Sequence, residues 1–201
     1  MSSQSWGQVV TDIAGSGQSY ASFTTAQSLL TTATATAASS GFVTLPPGFF
    51  RVGGVLDYEV YLNMGSATGQ TWTFSVKVGS VTAYTTGALP VTTTTNTALP
   101  LYLKFSLRCA SVGNGTQAAL TGMGMAMGIG ISPLGGATPA ANTSAGMGFS
   151  PLNITNIASG TGFDSTVANT LDFFCASGTS SASNTIQLMN YRVASWGNTA
   201  P

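Results

Sequence analysis

The sequence predicts an all-β protein, a jelly-roll β-sandwich of about eight antiparallel strands behind an extended N-terminal arm. Three observations predict it. Several segments alternate apolar and polar residues with period two. Gly, Pro and Asn turn signals separate those segments at the spacing of short strands. No segment carries a convincing helical period.

Length and composition set the bounds. The 201 residues suit one sandwich domain with extensions. Apolar residues make up 43%, yet only 5% are charged, five basic and five acidic, against about 25% in ordinary globular chains. Soluble monomers use charge to repel one another. A surface of hydroxyls, amides and bare backbone suits permanent contact with other subunits, and a neutral secreted β-protein is the competing class. Nucleic acid is not an expected partner, because Arg51, Lys77, Lys104, Arg108 and Arg192 are scattered along the chain and phosphate binding needs clustered cations. No apolar run approaches the roughly 20 residues of a membrane helix, so no membrane partner is expected. The opening MSSQSWGQVV has neither a basic end nor an apolar segment, which predicts a product made and kept in the cytoplasm.

Residues 1–41 are polar and of low complexity. A helix over Ala26 to Ala38 is disfavoured by its threonines. The segment is expected to be an arm that owes its order to a partner, anchored through Trp6, Val9, Val10 and Ile13, simple disorder being the alternative. Tyr20 and Phe23 are further aromatic anchors.

The domain is expected over 42–201. FVTLPPGFFRVGG reads as a short strand, a turn and a strand entry. In VLDYEVYLNM, Leu56, Tyr58, Val60 and Leu62 share one face, and Asp57, Glu59 and Tyr61 the other. QTWTFSVKVG puts Trp72, Phe74, Val76 and Val78 inward. VTAYTT is a shorter strand, and GALPVTTTTNTALP a connection. LYLKFSLRCAS buries Leu101, Leu103, Phe105, Leu107 and Cys109 and exposes Tyr102, Lys104, Ser106 and Arg108. Asn114-Gly115 is a hairpin turn signal. The returning strand, TQAALTGMGMAMGIGI, carries Gly122, Gly124, Ala126, Gly128 and Gly130 on one face and methionines and isoleucines on the other. Glycine inside a strand marks a close approach of other backbone. Gly122, Gly124, Gly128 and Gly130 are therefore the candidate contact with a neighbouring subunit, the alternative being glycines toward solvent with methionines in the core. Residues 132–162 read as one long loop, of the kind that is functional or disordered. NTLDFFCAS and NTIQLMNYRVASW are the closing strands.

Sites of chemistry are sparse. There is no histidine, which removes the usual general base and the commonest metal ligand. Asp57 and Glu59 lie about 7 Å apart on one strand face, inside the separation that inverting glycosidases use. Every neighbour on that parity is polar, so the pair reads as outward surface, with Lys104 and Arg108 as natural partners. Gly15-Ser16-Gly17 lacks the strand and the Lys-Ser/Thr of a phosphate loop. Cys109 and Cys175 fall on apolar parities and read as buried thiols, a disulfide being the alternative. Two cysteines without histidine make no structural zinc site. No catalytic residue, cofactor or metal is expected.

The last forty residues carry the most specific signal. Phe163-Asp164-Ser165, the Ala168-Asn169-Thr170-Leu171-Asp172-Phe173 strand entry, the turn to Ser183-Asn184 and the Ile186-Gln187-Leu188…Tyr191 strand resemble the closing motif of jelly-roll virion proteins of tailed bacteriophages. Residues 42–197 fit more loosely, and the arm resembles nothing specific. The Gly/Met strand and Cys175 depart from the pattern. The resemblance implies a capsid decoration (cement), head-fibre or minor tail protein, commonly trimeric and without catalytic residues. It implies a homotrimer bound to the major capsid protein on the outer surface of the virion. The alternative is a tail or baseplate protein that recognises host glycan, with Tyr61 beside Asp57 and Glu59 as its one candidate set.

Overall fold

A computed structural model describes residues 7–14, 19–30, 43–91, 95–129, 147–156 and 160–198. They form thirteen strands and no helix: β1 (Gly7–Ala14), β2 (Ser19–Ala21), β3 (Gln27–Ser28), β4 (Val43–Leu45), β5 (Val55–Ser66), β6 (Thr71–Val78), β7 (Val81–Thr85), β8 (Leu89–Pro90), β9 (Asn96–Ser111), β10 (Ala119–Ile129), β11 (Met147–Asn156), β12 (Asn169–Ser177) and β13 (Thr185–Trp196). A seven-stranded sheet has the order β1-β13-β5-β9-β10-β11, with β2 also on β13. A six-stranded sheet has the order β3-β12-β6-β7, with β4 on β12 and β8 on β6. All pairings are antiparallel. The chain changes sheet repeatedly, as a jelly-roll sandwich does.

The alternation of the sequence is the alternation of burial. Leu56, Tyr58, Val60 and Leu62 of β5 are buried, as are Trp72, Phe74, Val76 and Val78 of β6 and Leu101 to Cys109 at every second position of β9. Burying such a side chain is worth about 1.5–3 kcal/mol each, which fixes the register, since a one-residue slip would turn each set to water. The middle of the core is aromatic. Phe105 stacks on Tyr58 (4.6 Å, 10°) and on Tyr84 (4.8 Å, 12°) and lies 6.3 Å from Phe173 of the opposite sheet.

Three expectations are corrected. The described part of residues 1–41 is no separate arm: β1 and β2 lengthen the larger sheet, β3 the smaller, and Phe23, Leu29 and Leu30 lie in the core. The physical reason is local. Tyr20 donates to the Ser28 carbonyl at 2.8 Å, Ser28 Oγ donates to Asp172 at 2.6 Å, and Phe23 meets Trp72 edge-on at 5.8 Å. A few well-placed groups seat a segment whose average composition is poor. Val9 is exposed, Val10 packs on the core and Ile13 pairs in β1 with Tyr191, whereas Trp6 lies outside the described residues.

The second correction concerns the glycines of β10. They face the chain's own interior, and Met123 and Met125 face outward, 62% and 46% exposed. A Cβ on Gly122 would run into the Tyr84 ring and come within 2.8 Å of Leu107; one on Gly124 would come within 2.5 Å of the Lys104 carbonyl; one on Gly128 within 2.8 Å of the Pro100 carbonyl. The close approach the sequence signals is met within the chain, by the Tyr84 ring, Leu107 and the Lys104 and Pro100 carbonyls. Gly130 lies outside the described residues. Third, the stretch 132–162 is not one loop, because it contains β11, which pairs with β10 through residues 121–129 and 147–156.

The loops at one end of the sandwich are tied together. Ser165 accepts from Gly48 N (2.9 Å), donates its amide to the Gly113 carbonyl (2.9 Å) and receives Gly113 N on its hydroxyl (2.9 Å), while Gly53 N donates to the Cys109 carbonyl (2.8 Å). Gly115, at φ 62°, makes the β9–β10 turn. Cys109 and Cys175 are free and buried; burial pushes the Cys109 thiol up to about 11 and Cys175 higher still.

Two outcomes test this fold. Gly122→Val and Gly128→Val are expected to lower the stability of the isolated chain by about 2–3 kcal/mol, while Met125→Ser changes it by less than about 0.5 kcal/mol; urea unfolding of the three variants reads the difference. Deletion of residues 2–30 removes three strands and three core side chains. The truncated chain is expected to lose its cooperative unfolding transition, and a native-like transition after the deletion would refute the assignment of this segment to the core.

Candidate functional site

The outer face of the seven-stranded sheet gathers most of the chemistry the chain possesses. Alternation places Asp57 and Glu59 of β5, Lys104 and Arg108 of β9 and Arg192 of β13 outward. That is five of the ten charged residues in the chain (five basic, five acidic). Nine large apolar side chains are exposed among the described residues. Val9, Tyr61, Met123, Met125, Met189 and Trp196 belong to this face, and Val52, Val112 and Val167 to the tied loop end. Charge and apolar surface are mixed on this one sheet face, which sets it apart chemically from the rest of the described surface.

Antiparallel register explains the grouping. Glu59 lies opposite both Lys104 and Arg192, Asp57 opposite Ser106 and Ala194, and Tyr61 opposite Tyr102 and Asn190. Residues directly opposite have neighbouring side chains, so three stretches far apart in sequence meet. Lys104 Nζ is 3.3 Å and Arg192 Nη1 3.8 Å from the Glu59 carboxylate. Asp57 accepts the Ser106 hydroxyl. The Tyr61 and Tyr102 rings lie 4.6 Å apart at 34°. Burial first, then the charge of Glu59 and the contact with Tyr61, push the Tyr102 hydroxyl up to about 12, so it stays protonated and a donor at physiological pH.

Two concavities adjoin on this face. One, of about 200 Å³, is lined by Asp57, Glu59, Lys104, Arg192, Ala194 and Trp196. The other, of about 590 Å³, is apolar; Tyr61, Asn63, Pro100, Tyr102, Met127 and Met189 are among its walls. Among the described residues no three His, Cys, Asp or Glu side chains converge to hold a metal.

The pairing of Glu59 with Lys104 follows the expectation from sequence. Arg108 lies opposite Val55 instead, and Arg192 takes its place. The sequence reading missed Trp196 and Arg192 as members of the site. Their signal was the outward parity of NYRVASW, but nothing local says that β13 lies beside β5. On the other sheet, Lys77 pairs in register with Asp172 and lies 4.2 Å above the Phe174 ring. Burial raises the Asp172 carboxyl, partly offset by the Ser28 hydroxyl.

The ion pairs of Glu59 are surface interactions, with Lys104 and Arg192 about half exposed, so each is worth at most about 1 kcal/mol. Glu59→Gln is expected to move the urea midpoint of the free protein by less than that energy corresponds to, leaving the sheet intact. A larger loss would make this cluster a structural element.

No family model matches the chain, and no curated protein matches it. Among solved structures it is similar to the infectious bursal disease virus structure (Gx strain), at TM-score 0.35 and 7% identity over 98% of this chain and 33% of that one. It is similar to the CBM2 module of the evolved Dit of Lactobacillus casei BL23 phage J-1, at TM-score 0.29 and 10% identity over 80% and 70%. It is also similar to lectin I of Ulex europaeus, at TM-score 0.32 and 9% identity over 92% and 98%. The chain spans about a third of the viral chain's length. Similarity this low assigns no function.

Proposed function

We propose that the chain is a non-enzymatic structural subunit of a tailed-bacteriophage particle: a decoration protein, homotrimeric, seated on the major capsid protein at the outer surface of the shell. The observation that carries this reading is the segregation of charge. With half of its few charges on one sheet face, the chain leaves its loop end almost neutral, with Arg51 and Asp164 as the charged residues of those loops. That end presents Val52, Val112 and Val167, 65%, 43% and 48% exposed, on loops that Ser165 and its partners hold in place. A preorganised apolar end loses little freedom when it seats on another protein. Uncharged surface suits contact that never has to be broken. The phage-like closing motif, whose Ser165 and Asn169 both tie loops at this end, agrees with it.

Val52→Asp and Val167→Asp test the seating. Both positions are exposed, so stability is expected to stay within about 0.5 kcal/mol, while binding to shells lacking the protein falls by about tenfold or more, the effect of one unpaired charge buried at an interface. Sedimentation with purified shells measures it, and a virion gel gives the copy number. Unchanged binding, or a copy number far below that of the shell protein, would overturn the decoration role and favour a tail location.

A further inference from the structure

The concavity beside Trp196 has a chemistry that shell seating does not use. Its side chains restrict what it can hold. Asp57 and Glu59 oppose an anion, and Lys104 and Arg192 oppose a cation. Its polar walls disfavour a purely apolar ligand, whose arrival would strip water from four charged groups with nothing in return. A neutral molecule rich in hydroxyl groups fits both kinds of wall, since each hydroxyl both donates and accepts. Trp196, 44% exposed at the rim, adds an apolar ring surface. Such a surface suits the C–H face of a sugar ring rather than a small linear polyol.

The polar groups are held before any ligand arrives. Glu59 is fixed between Lys104 at 3.3 Å and Arg192 at 3.8 Å, and Asp57 by the Ser106 hydroxyl. Asn198 donates to the Val55 carbonyl at 3.3 Å and to the Ser195 hydroxyl at 3.0 Å, which ties the chain on either side of Trp196 to its sheet partner Val55. A volume of about 200 Å³ suits one ring of a glycan rather than an extended chain.

We propose that this concavity is a neutral-saccharide site, in which one pyranose ring stacks on Trp196 while Asp57 and Glu59 accept, and Arg192 and Lys104 donate, hydrogen bonds to its hydroxyls. The inference goes beyond attachment to a shell. It is tested on the free protein in solution, so its failure and that of the decoration role are read in different experiments.

The experiment is a proton–nitrogen NMR titration with the methyl glycosides of glucose, galactose and N-acetylglucosamine, and with glucuronic acid as the charged control. At least one neutral glycoside is expected to give saturable shifts at the Trp196 indole and at residues 57–59 and 192–196, in the millimolar range that a shallow open site gives. Trp196→Ala and Asp57→Asn are each expected to weaken binding by about tenfold, with Trp196→Phe recovering part of the loss. Both side chains are at the surface, and the unshifted remainder of the spectrum reports the intact fold. The proposal is overturned by the absence of saturable shifts with all three neutral glycosides, by binding that Trp196→Ala leaves unchanged, by shifts confined to Tyr61, Tyr102 and Met127, or by tighter binding of glucuronic acid.

Discussion

The stacking of Phe105 between Tyr58 and Tyr84 is the constraint on which the rest of the sandwich depends. Phe105 lies on β9, at the middle of the larger sheet. Its ring is parallel to both neighbours within 12° and reaches toward Phe173, which stacks in turn on Phe74 at 6.0 Å and 4°. Offset and stacked aromatic pairs add about 0.5–1.5 kcal/mol each beyond the area they bury. More important here, they fix how far apart the sheets stand and where space runs out.

Space runs out over β10. Tyr84 and Leu107 fill the volume beside Gly122, Phe105 and the Lys104 carbonyl that beside Gly124, and the Pro100 carbonyl and Leu101 that beside Gly128, so the strand carries small residues on that side. Glycine normally weakens a strand, but here a side chain would cost more than the lost packing. The same alternation sends Met123, Met125 and Met127 to the outer face, where Met127 walls the apolar concavity. The apolar character of this outer face is thus a consequence of packing on the inner face of the same sheet.

Much of the sandwich was legible because alternation is local. β5, β6 and β9 could be read residue by residue, and their buried faces follow the sequence, while β12 and β13 could be read as strands. What alternation cannot say is which side of a strand of small residues faces in. Volume decides that, and volume depends on Tyr84 and Leu107, which come from other strands. The described residues before position 42 depart from expectation for a related reason. Its composition argues against order, yet order rests on single placements such as Phe23 against Trp72 and Ser28 against Asp172. β11 was hidden because its partner β10 supplies the pairing that its Gly- and Pro-containing sequence does not advertise. The site was half legible: Asp57, Glu59 and Lys104 share visible outward parities, whereas Trp196 and Arg192 join them only through the β13–β5 register.

The scarcity of charge gives the placement of each charged group its meaning. In a chain with a quarter of its residues charged, a face bearing five of them would be ordinary surface. Here those five account for half of the supply, and register brings two carboxylates and two cations of them together around one tryptophan. Net neutrality within the cluster removes the long-range steering that a charged ligand would use. It leaves short-range hydrogen bonding and ring contact as the means of the proposed recognition. Those are weak forces for a single site and become strong only through repetition, since linked copies bind as one with an effective concentration that each alone lacks. The proposed seating in many copies on a particle would supply that repetition without any change to the fold of the subunit.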